Sequence, residues 1–135
     1  MNAEQDGRHS ALVLFLRVLL AGAVAMAVVS WFRRRFLRFE VAGESMAPAF
    51  RDGDFVLARR LAPGELPRRG DVVLARDPRL PSRTLLKRVG SVDLHGQVTL
   101  YGDNGPASTD SRHFGALPPE AVIARVAWRY WPLIR

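Results

Sequence analysis

The stretch TLLKRVGSVDLHGQVTLYG, residues 84–102, contains two short runs rich in Val, Leu and Thr that are joined by DLHG. Such runs on either side of a Gly-containing turn predict a β-hairpin. Similar runs flank it: FLRFEVA, DFVLAR and DVVLAR lie before it and AVIARVAWRYW lies after it, with Gly- and Pro-rich segments between them. Short strands at this spacing predict a mainly β domain, a small antiparallel barrel or coiled sheet.

An apolar segment, residues 11–32, precedes these runs and is interrupted by one charge, Arg17. As a helix it would extend roughly 33 Å, enough to cross the roughly 30 Å hydrocarbon core of a bilayer. Its aromatic end is followed by three arginines, which is typical of a membrane interface. A cleaved signal peptide is the alternative, because residues 25–27 have the small-x-small form of a cleavage site. We expect an uncleaved anchor, since no basic cluster precedes the segment and arginines follow it.

These patterns predict four parts of the chain. They are a short polar N-terminus (1–10), a single transmembrane anchor (11–32), a basic juxtamembrane segment (33–38) and a β-rich domain (39–135).

The composition of the 135 residues excludes several classes of site. There is no cysteine, so neither disulfides nor thiolate ligands are available. The three histidines, His9, His95 and His113, show no metal-ligand spacing, and we expect no metal and no cofactor. Of the net charge of +7, residues 1–38 carry +4, and the later part is only mildly basic with both signs interspersed. No recognition helix or basic–aromatic interleaving is visible, so we expect no nucleic-acid partner.

Lys87 is the one lysine among 20 basic residues. On a strand it would share a face with Leu85 and Val89 and point toward the core. Burial lowers the pKa of a lysine, and a neutral amine can act as a general base, whereas arginine stays protonated. The alternative is a lysine whose aliphatic part follows the strand while its amine reaches water. The strand pattern alone leaves both readings open.

A nucleophile for such a base is available in VAGESMAPAF, where Ser45 follows a strand end. Gly43 permits an unusual backbone angle and Pro48 stiffens the exit, so the loop can present a hydroxyl in a fixed orientation. Serine is unreactive near neutral pH unless a neighbouring base takes its proton, which makes a Ser–Lys pair chemically coherent. An ordinary turn serine is the alternative.

The segment GDNGPASTDSRHFG, residues 102–115, together with Ser45-Met46-x-Pro48 and Lys87-Arg88, resembles the type I signal peptidase family. The blocks occur in the family's order from about Phe36 to Pro118. The resemblance implies a membrane-anchored serine peptidase with a Ser/Lys dyad. Because the chain has no room for a large inserted domain, it resembles the short members. Some of these process a dedicated precursor, such as a nickel superoxide dismutase proform.

Position by position, the resemblance implies that Ser45 is the nucleophile and Lys87 the general base. It implies supporting roles for Ser108 (lysine orientation), Asp110 and Arg112 (an ion pair beneath the site), Gly43, Met46 and Pro48 (nucleophile loop and oxyanion hole), and Gly102, Asp103 and Asn104 (the turn against the dyad). Some family members have a serine hydroxyl as an oxyanion donor where this chain has Gly43. The alternative for Asp110 and Arg112 is a surface pair that contributes little.

The resemblance further implies a precursor protein bound as an extended peptide, with small residues at the first and third positions before the cut. The partners we expect are this precursor and the lipid bilayer. The family's topology places the catalytic domain on the outer face of the membrane. The arginines at 33–35 favour the cytoplasmic face by the positive-inside rule. We expect the outer face.

Two other functions are compatible with parts of the pattern. The self-cleaving domain of repressor-type proteins shares a Gly-x-Ser-Met nucleophile segment, but it requires an upstream DNA-binding domain. A non-catalytic β module tethered to the membrane could instead bind lipid headgroups or partners through its arginines and the WRYWP stretch, residues 128–132.

Overall fold

The computed structural model describes the backbone of residues 2–131 and the side chains of residues 11–130. Helix α1 spans Asn2–Arg35, and its part from Ala11 to Arg35 is long and apolar enough to cross a membrane. Its apolar side chains are exposed along this part. The helix continues through Arg35 and the first strand begins at Phe36, so the basic segment predicted at 33–38 is divided between helix and strand.

The second unit is an antiparallel sheet of six strands, and each of the six predicted runs forms one of them. The strands are β1 (Phe36–Glu40), β2 (Phe55–Arg60), β3 (Val72–Asp77), β4 (Leu80–Val92), β5 (Val98–Tyr101) and β6 (Val122–Trp131). Their order in the sheet is β1-β2-β6-β3-β4-β5. The antiparallel β class is confirmed. Among the described residues β1 and β5 do not pair with each other, so the sheet is open and not a closed barrel.

Hydrophobic side chains cover both faces in the middle of this sheet, in two separate clusters. One contains Leu74 and Leu86, and the other contains Val73 and Val89. Because successive residues of a strand point to opposite faces, β3 and β4 contribute alternate residues to the two clusters. The interior of β4 is therefore packed on both sides.

The pairing of β4 changes along its length. It pairs with β3 from Leu80 to Arg88, and the DLHG turn leads into β5, which pairs with β4 from Arg88 to Val92. This is the predicted hairpin. Within the described residues, the portion from Thr84 to Leu86 is paired with a strand on one side only, and it follows an irregularity in register between Leu80 and Thr84. That portion leads directly to Lys87.

The remaining ordered pieces are short. They are helix α2 (Ser111–Phe114) and single 3-10 turns at Gly105–Ala107 and Pro119–Ala121. In the stretch 128–132, Trp128 is exposed, and Tyr130 accepts a hydrogen bond from Nε of Arg38 at 2.9 Å. Pro132 and the side chain of Trp131 lie outside the described residues.

Candidate active site

Ser45 and Lys87 are brought together although 42 residues separate them in the chain. Nζ of Lys87 lies 2.8 Å from Oγ of Ser45, which is hydrogen-bonding distance. Lys87 is paired with Val73 in the centre of the sheet, and only 3% of its surface is exposed. The alternative of an amine that reaches bulk water does not describe this side chain.

The surroundings of Lys87 lower its pKa below the ordinary lysine value. The largest cause is burial, because removing the ammonium group from water disfavours the charged form. The carboxylate of Asp110 acts in the opposite direction, and the positive charges of Arg83, Arg112 and Arg79 add to the lowering. A larger fraction of neutral amine is therefore present near neutral pH than in an exposed lysine.

Ser45 lies on a loop, residues 41–54, that is closed by backbone hydrogen bonds at its base. The amide of Val41 donates to the carbonyl of Asp54 at 2.8 Å, and the amide of Gly53 donates to the carbonyl of Val41 at 2.9 Å. Gly43 has a φ of +83°, which side-chain-bearing residues rarely adopt. Its amide donates to Oδ1 of Asp52 at 2.7 Å. These contacts hold the loop on both sides of its bend.

The residues after Ser45 fix the loop against the core. Met46 is 1% exposed and packs in the cluster of Leu86, and the amide of Phe50 donates to its carbonyl at 2.9 Å. Pro48 follows Ala47 through a cis peptide bond. Among the described hydrogen bonds, none uses the amide of Ser45 as a donor, so this N–H is available to a bound group.

The segment 102–115 packs directly against Ser45. The amide of Asn104 donates to the carbonyl of Ser45 at 3.0 Å. A Cβ placed on Gly102 would lie 2.5 Å from that carbonyl oxygen and 2.2 Å from Oγ of Ser108. Only a residue without a side chain allows this approach. The close contact couples the nucleophile loop to the segment that carries Ser108 and Asp110.

Asp110 is fully buried and binds several donors. Its Oδ2 accepts hydrogen bonds from Oγ of Ser108 at 2.7 Å, from the amide of Gly102 at 3.0 Å and from Nη2 of Arg112 at 2.7 Å. The hydrogen bond to the Arg112 guanidinium is the largest cause that holds the pKa of Asp110 well below its usual range. The carboxylate therefore stays charged at neutral pH, and Asp110 and Arg112 form an ion pair.

The hydroxyl of Ser108 donates a hydrogen bond to the carboxylate of Asp110 and not to a group of Ser45 or Lys87 among the described contacts. In the part of the chain that the structure describes, no hydrogen bond joins Ser108 to Lys87. A hydroxyl that donates to a carboxylate keeps its lone pairs as acceptors, so it could still receive a hydrogen bond from the lysine amine. The orientation of Lys87 by Ser108 stays a prediction.

Several residues near the dyad were not predicted from the sequence. In the sequence RDGD, Asp52 resembles an ordinary turn residue. Its hydrogen bond with the Gly43 amide forms because the loop 41–54 closes on itself, which no local pattern indicates. Arg79 and Arg83 lie eight and four residues before Lys87. Because arginine is frequent throughout this chain, their presence there did not indicate a role at the site. The strand alternation that places Arg83 and Lys87 on the same face was the one available signal.

The dyad opens into a cleft of about 280 Å³. One wall is formed by the end of β1 and the nucleophile loop, and the opposite wall by β4 from Arg83 to Lys87. Arg79, and Ala107 and Thr109 of the 102–115 segment, complete the lining. A serine and a lysine of lowered pKa in hydrogen-bonding contact in an open cleft can support nucleophilic catalysis.

The sequence matches the family described as "Signal peptidase, peptidase S26" over residues 9–93 and 94–131. It is 37% identical over 116 residues to the mitochondrial ATP-independent inner membrane protease subunit 1a of Arabidopsis thaliana, covering 68% of each chain. It is 32% identical over 112 residues to the mitochondrial inner membrane protease subunit 1 of Homo sapiens, again covering 68% of each chain. A segment of 37 residues, 27% of this chain, is 43% identical to 20% of the signal peptidase I of Bacillus caldolyticus.

Proposed function

Since the chain belongs to the signal peptidase S26 family, a family of serine proteases, we propose that it is a membrane-bound endopeptidase that removes a signal or pro-peptide from precursor proteins. Ser45 is the nucleophile and Lys87 the general base. The observation that carries this proposal is the 2.8 Å contact between Oγ of Ser45 and Nζ of a lysine that is almost completely buried.

The reaction begins with attack of Oγ of Ser45 on the carbonyl carbon of the scissile peptide bond. Neutral Lys87 accepts the hydroxyl proton at Nζ as the C–O bond forms. The same proton is then given to the nitrogen of the leaving amine while the C–N bond breaks. An ester between Ser45 and the N-terminal part of the precursor remains. Water, deprotonated by Lys87, attacks the carbonyl carbon of this ester. The bond from that carbon to Oγ then breaks, Lys87 returns the proton to Oγ of Ser45, and the N-terminal part leaves with a terminal carboxyl group.

The amide of Ser45 is the proposed donor to the oxyanion that forms on the carbonyl oxygen, because it has no acceptor among the described residues. Gly43 contributes no side-chain donor, and its own amide is bound to Asp52. Its contribution is the backbone bend that orients the amide of Ser45. Removal of one oxyanion donor reduces kcat by about 10²–10³ where it has been measured, so a second donor would have a large effect on turnover.

The precursor is proposed to bind in extended form along the one-sided portion of β4. Within the described residues, Thr84 to Leu86 pair with β3 alone, so their outward backbone groups are available to a peptide strand. The cleft that this portion lines also contains Ser45 and Lys87. Addition of a peptide strand to a sheet edge is a common mode of peptide recognition.

We place the catalytic unit on the outer face of the membrane, by analogy with the family's role on exported precursors. The arginines at 33–35 favour the opposite orientation. Proteolysis of sealed spheroplasts distinguishes the two. On the outer face an epitope at the C-terminus is digested without lysis, whereas protection of the epitope until lysis would reverse the orientation.

The peptidase activity is tested with the full chain in detergent and a labelled precursor that has alanine at the first and third positions before the cut. We expect cleavage by the parent, and loss of at least 10³-fold for Ser45→Ala. Ser91→Ala, a serine that hydrogen-bonds to Thr99 outside the cleft, is the matched control and should cleave at the parent's rate. Equal rates for Ser45→Ala and the parent would refute the assignment.

Neither alternative function accounts for the site equally well. A non-catalytic module is consistent with the exposed side chain of Trp128, but a binding role has no need for a buried lysine in contact with a serine. A repressor-type domain would cleave its own chain. Incubation of the purified chain without precursor should leave its mass unchanged, and a stoichiometric self-cleavage product would revive that alternative.

A further inference from the structure

The cleft beside the dyad has an uneven distribution of charge. Its lining contains two arginines, Arg79 and Arg83, which lie eight and four residues before Lys87 in the chain. Its one carboxylate among the described residues belongs to Glu44, which is adjacent to Ser45 in the chain. A peptide in the cleft therefore meets two arginine side chains and the carboxylate next to Ser45.

The two arginines differ in how fully their donors are occupied. Arg79 binds buried Asp77 through two parallel hydrogen bonds, at 2.9 and 2.7 Å, and its guanidinium lies 5.6 Å from the ring centroid of Phe114. The ion pair of Arg83 with Asp77 is 4.0 Å long, beyond hydrogen-bonding distance. The side chain of Arg83 is 62% exposed. Its guanidinium is therefore available for another carboxylate.

Arg83 also has a defined position relative to the dyad. It precedes Lys87 by four residues on β4 and lies next to Thr84, where regular pairing with β3 begins. Alternation favours the same face for the two side chains, and both line the cleft. Four residues of strand extend about 13 Å. A peptide paired with β4, with its cleaved carbonyl at Ser45, would present a side chain to Arg83 about four residues from the scissile bond.

We propose that Arg83 forms a subsite for a carboxylate side chain, and that the enzyme prefers precursors with Asp or Glu three to five residues from the cleaved bond. A guanidinium offers a planar pair of donors that matches a carboxylate. The subsite deepens the proposed peptidase function and rests on it. The substrates it selects have an acidic side chain three to five residues from the cut, a requirement in addition to the small residues at the first and third positions before it.

Glu44 limits where this preference can occur. Its carboxylate repels an acidic side chain near the bond that is cut, since like charges in one cleft interact unfavourably. An acidic residue immediately beside the scissile bond should therefore not gain from Arg83. The preference is expected at a distance from the cut and not next to it.

The experiment uses the full chain in detergent and a set of peptides with one cleavage site. Each peptide carries Glu or its neutral isostere Gln at one position, up to five residues on either side of the cut. The quantity compared is the ratio of kcat/KM for the Glu and Gln peptides. Because any effect of a substitution on the pKa of Lys87 acts on both peptides, this ratio isolates recognition of the side chain.

For the parent we expect a ratio of roughly 2 to 5 at one position three to five residues from the cut, the size of an exposed ion pair. Arg83→Gln should bring this ratio to about 1, and Arg83→Glu should bring it below 1. Raising the salt concentration should reduce the parent's ratio. Arg69→Gln removes an exposed arginine of the loop between β2 and β3, and this variant should retain the parent's Glu/Gln ratio.

Three results would overturn the subsite: a ratio of 1 at every position, a ratio that persists in Arg83→Gln, or an equal loss in Arg69→Gln. These differ from failure of the peptidase function, in which no peptide of either kind is cleaved by the parent. Cleavage with no charge preference refutes the subsite and leaves the peptidase assignment intact.

Discussion

The substitution Gly102→Ala tests whether the segment 102–115 holds the nucleophile in place. A Cβ at this position would lie 2.2 Å from Oγ of Ser108 and 2.5 Å from the carbonyl oxygen of Ser45. Ordinary contacts of a Cβ begin at 3.4 Å, so the Ser45 backbone would have to move away by about 0.9 Å. That carbonyl is also bound by the amide of Asn104, which makes the movement more costly.

The expected effects are a moderate loss of stability and a large loss of activity. Overpacking of this kind reduces the free energy of unfolding by about 1–3 kcal/mol. A displacement near 1 Å of a catalytic group reduces turnover by about 10²-fold. We therefore expect kcat/KM of Gly102→Ala to fall about 100-fold, although the chain still folds.

The measurements are kcat/KM on the labelled precursor and the thermal unfolding transition in the same detergent. Gly64→Ala is the control: its φ of +77° makes a side chain unfavourable by about 1–2 kcal/mol, but nothing lies within 4 Å of the new Cβ. It should lose stability and retain the parent's kcat/KM. Parent-like activity of Gly102→Ala would refute the positioning argument.

Three further predictions follow from the contacts of the site. In the proposed mechanism Lys87 acts as the neutral amine, so a profile of kcat/KM against pH should rise through its lowered pKa. Arg83→Gln removes a positive charge that lowers this pKa, and it should move the acid limb of the profile to higher pH; an unmoved limb would contradict the charge effect. Asp52→Ala removes the acceptor of the Gly43 amide, so kcat/KM should fall several-fold and the free energy of unfolding by about 1 kcal/mol; unchanged kinetics would show that the loop needs no such bond. The pKa of Asp110 is lower in the folded chain than in the unfolded chain. The stabilisation that its charge provides is therefore complete above the unfolded pKa of about 4 and is lost as pH falls from there toward the folded pKa. In acid unfolding curves, the free energy of unfolding of Asp110→Asn should decline less below about pH 4 than that of the parent.

The strands were predictable because their signals are local. Gly- and Pro-rich segments separate the six runs, and DLHG joins β4 to β5 as a short turn. The order of the strands was not predictable in this way, since β6 lies between β2 and β3 through contacts distant in the chain. Whether the sheet closes depends on that order, which is why the barrel and the open sheet could not be separated by pattern.

The site shows the same division between local and distant information. Alternation along β4 placed Lys87 toward the interior, but it gave no reason for Ser45 to lie beside it. That pairing came from the resemblance, which depends on three blocks in order. Asp52 was missed because its hydrogen bond to Gly43 depends on closure of the loop 41–54. Arg83 was missed because its availability follows from the pairing of its neighbour Arg79 with Asp77. Neither contact leaves a local pattern in the sequence.

Turnover by a matched pair of variants tests the Ser45–Lys87 assignment most directly. Lys87→Met keeps the buried aliphatic volume but removes the amine, while Arg88→Lys changes the adjacent residue, which pairs with Asp103. Both are compared with the parent in precursor cleavage, with the unfolding transition as a check on folding. We predict loss of at least 10³-fold for Lys87→Met and less than tenfold for Arg88→Lys. Comparable cleavage by folded Lys87→Met and the parent would contradict the account.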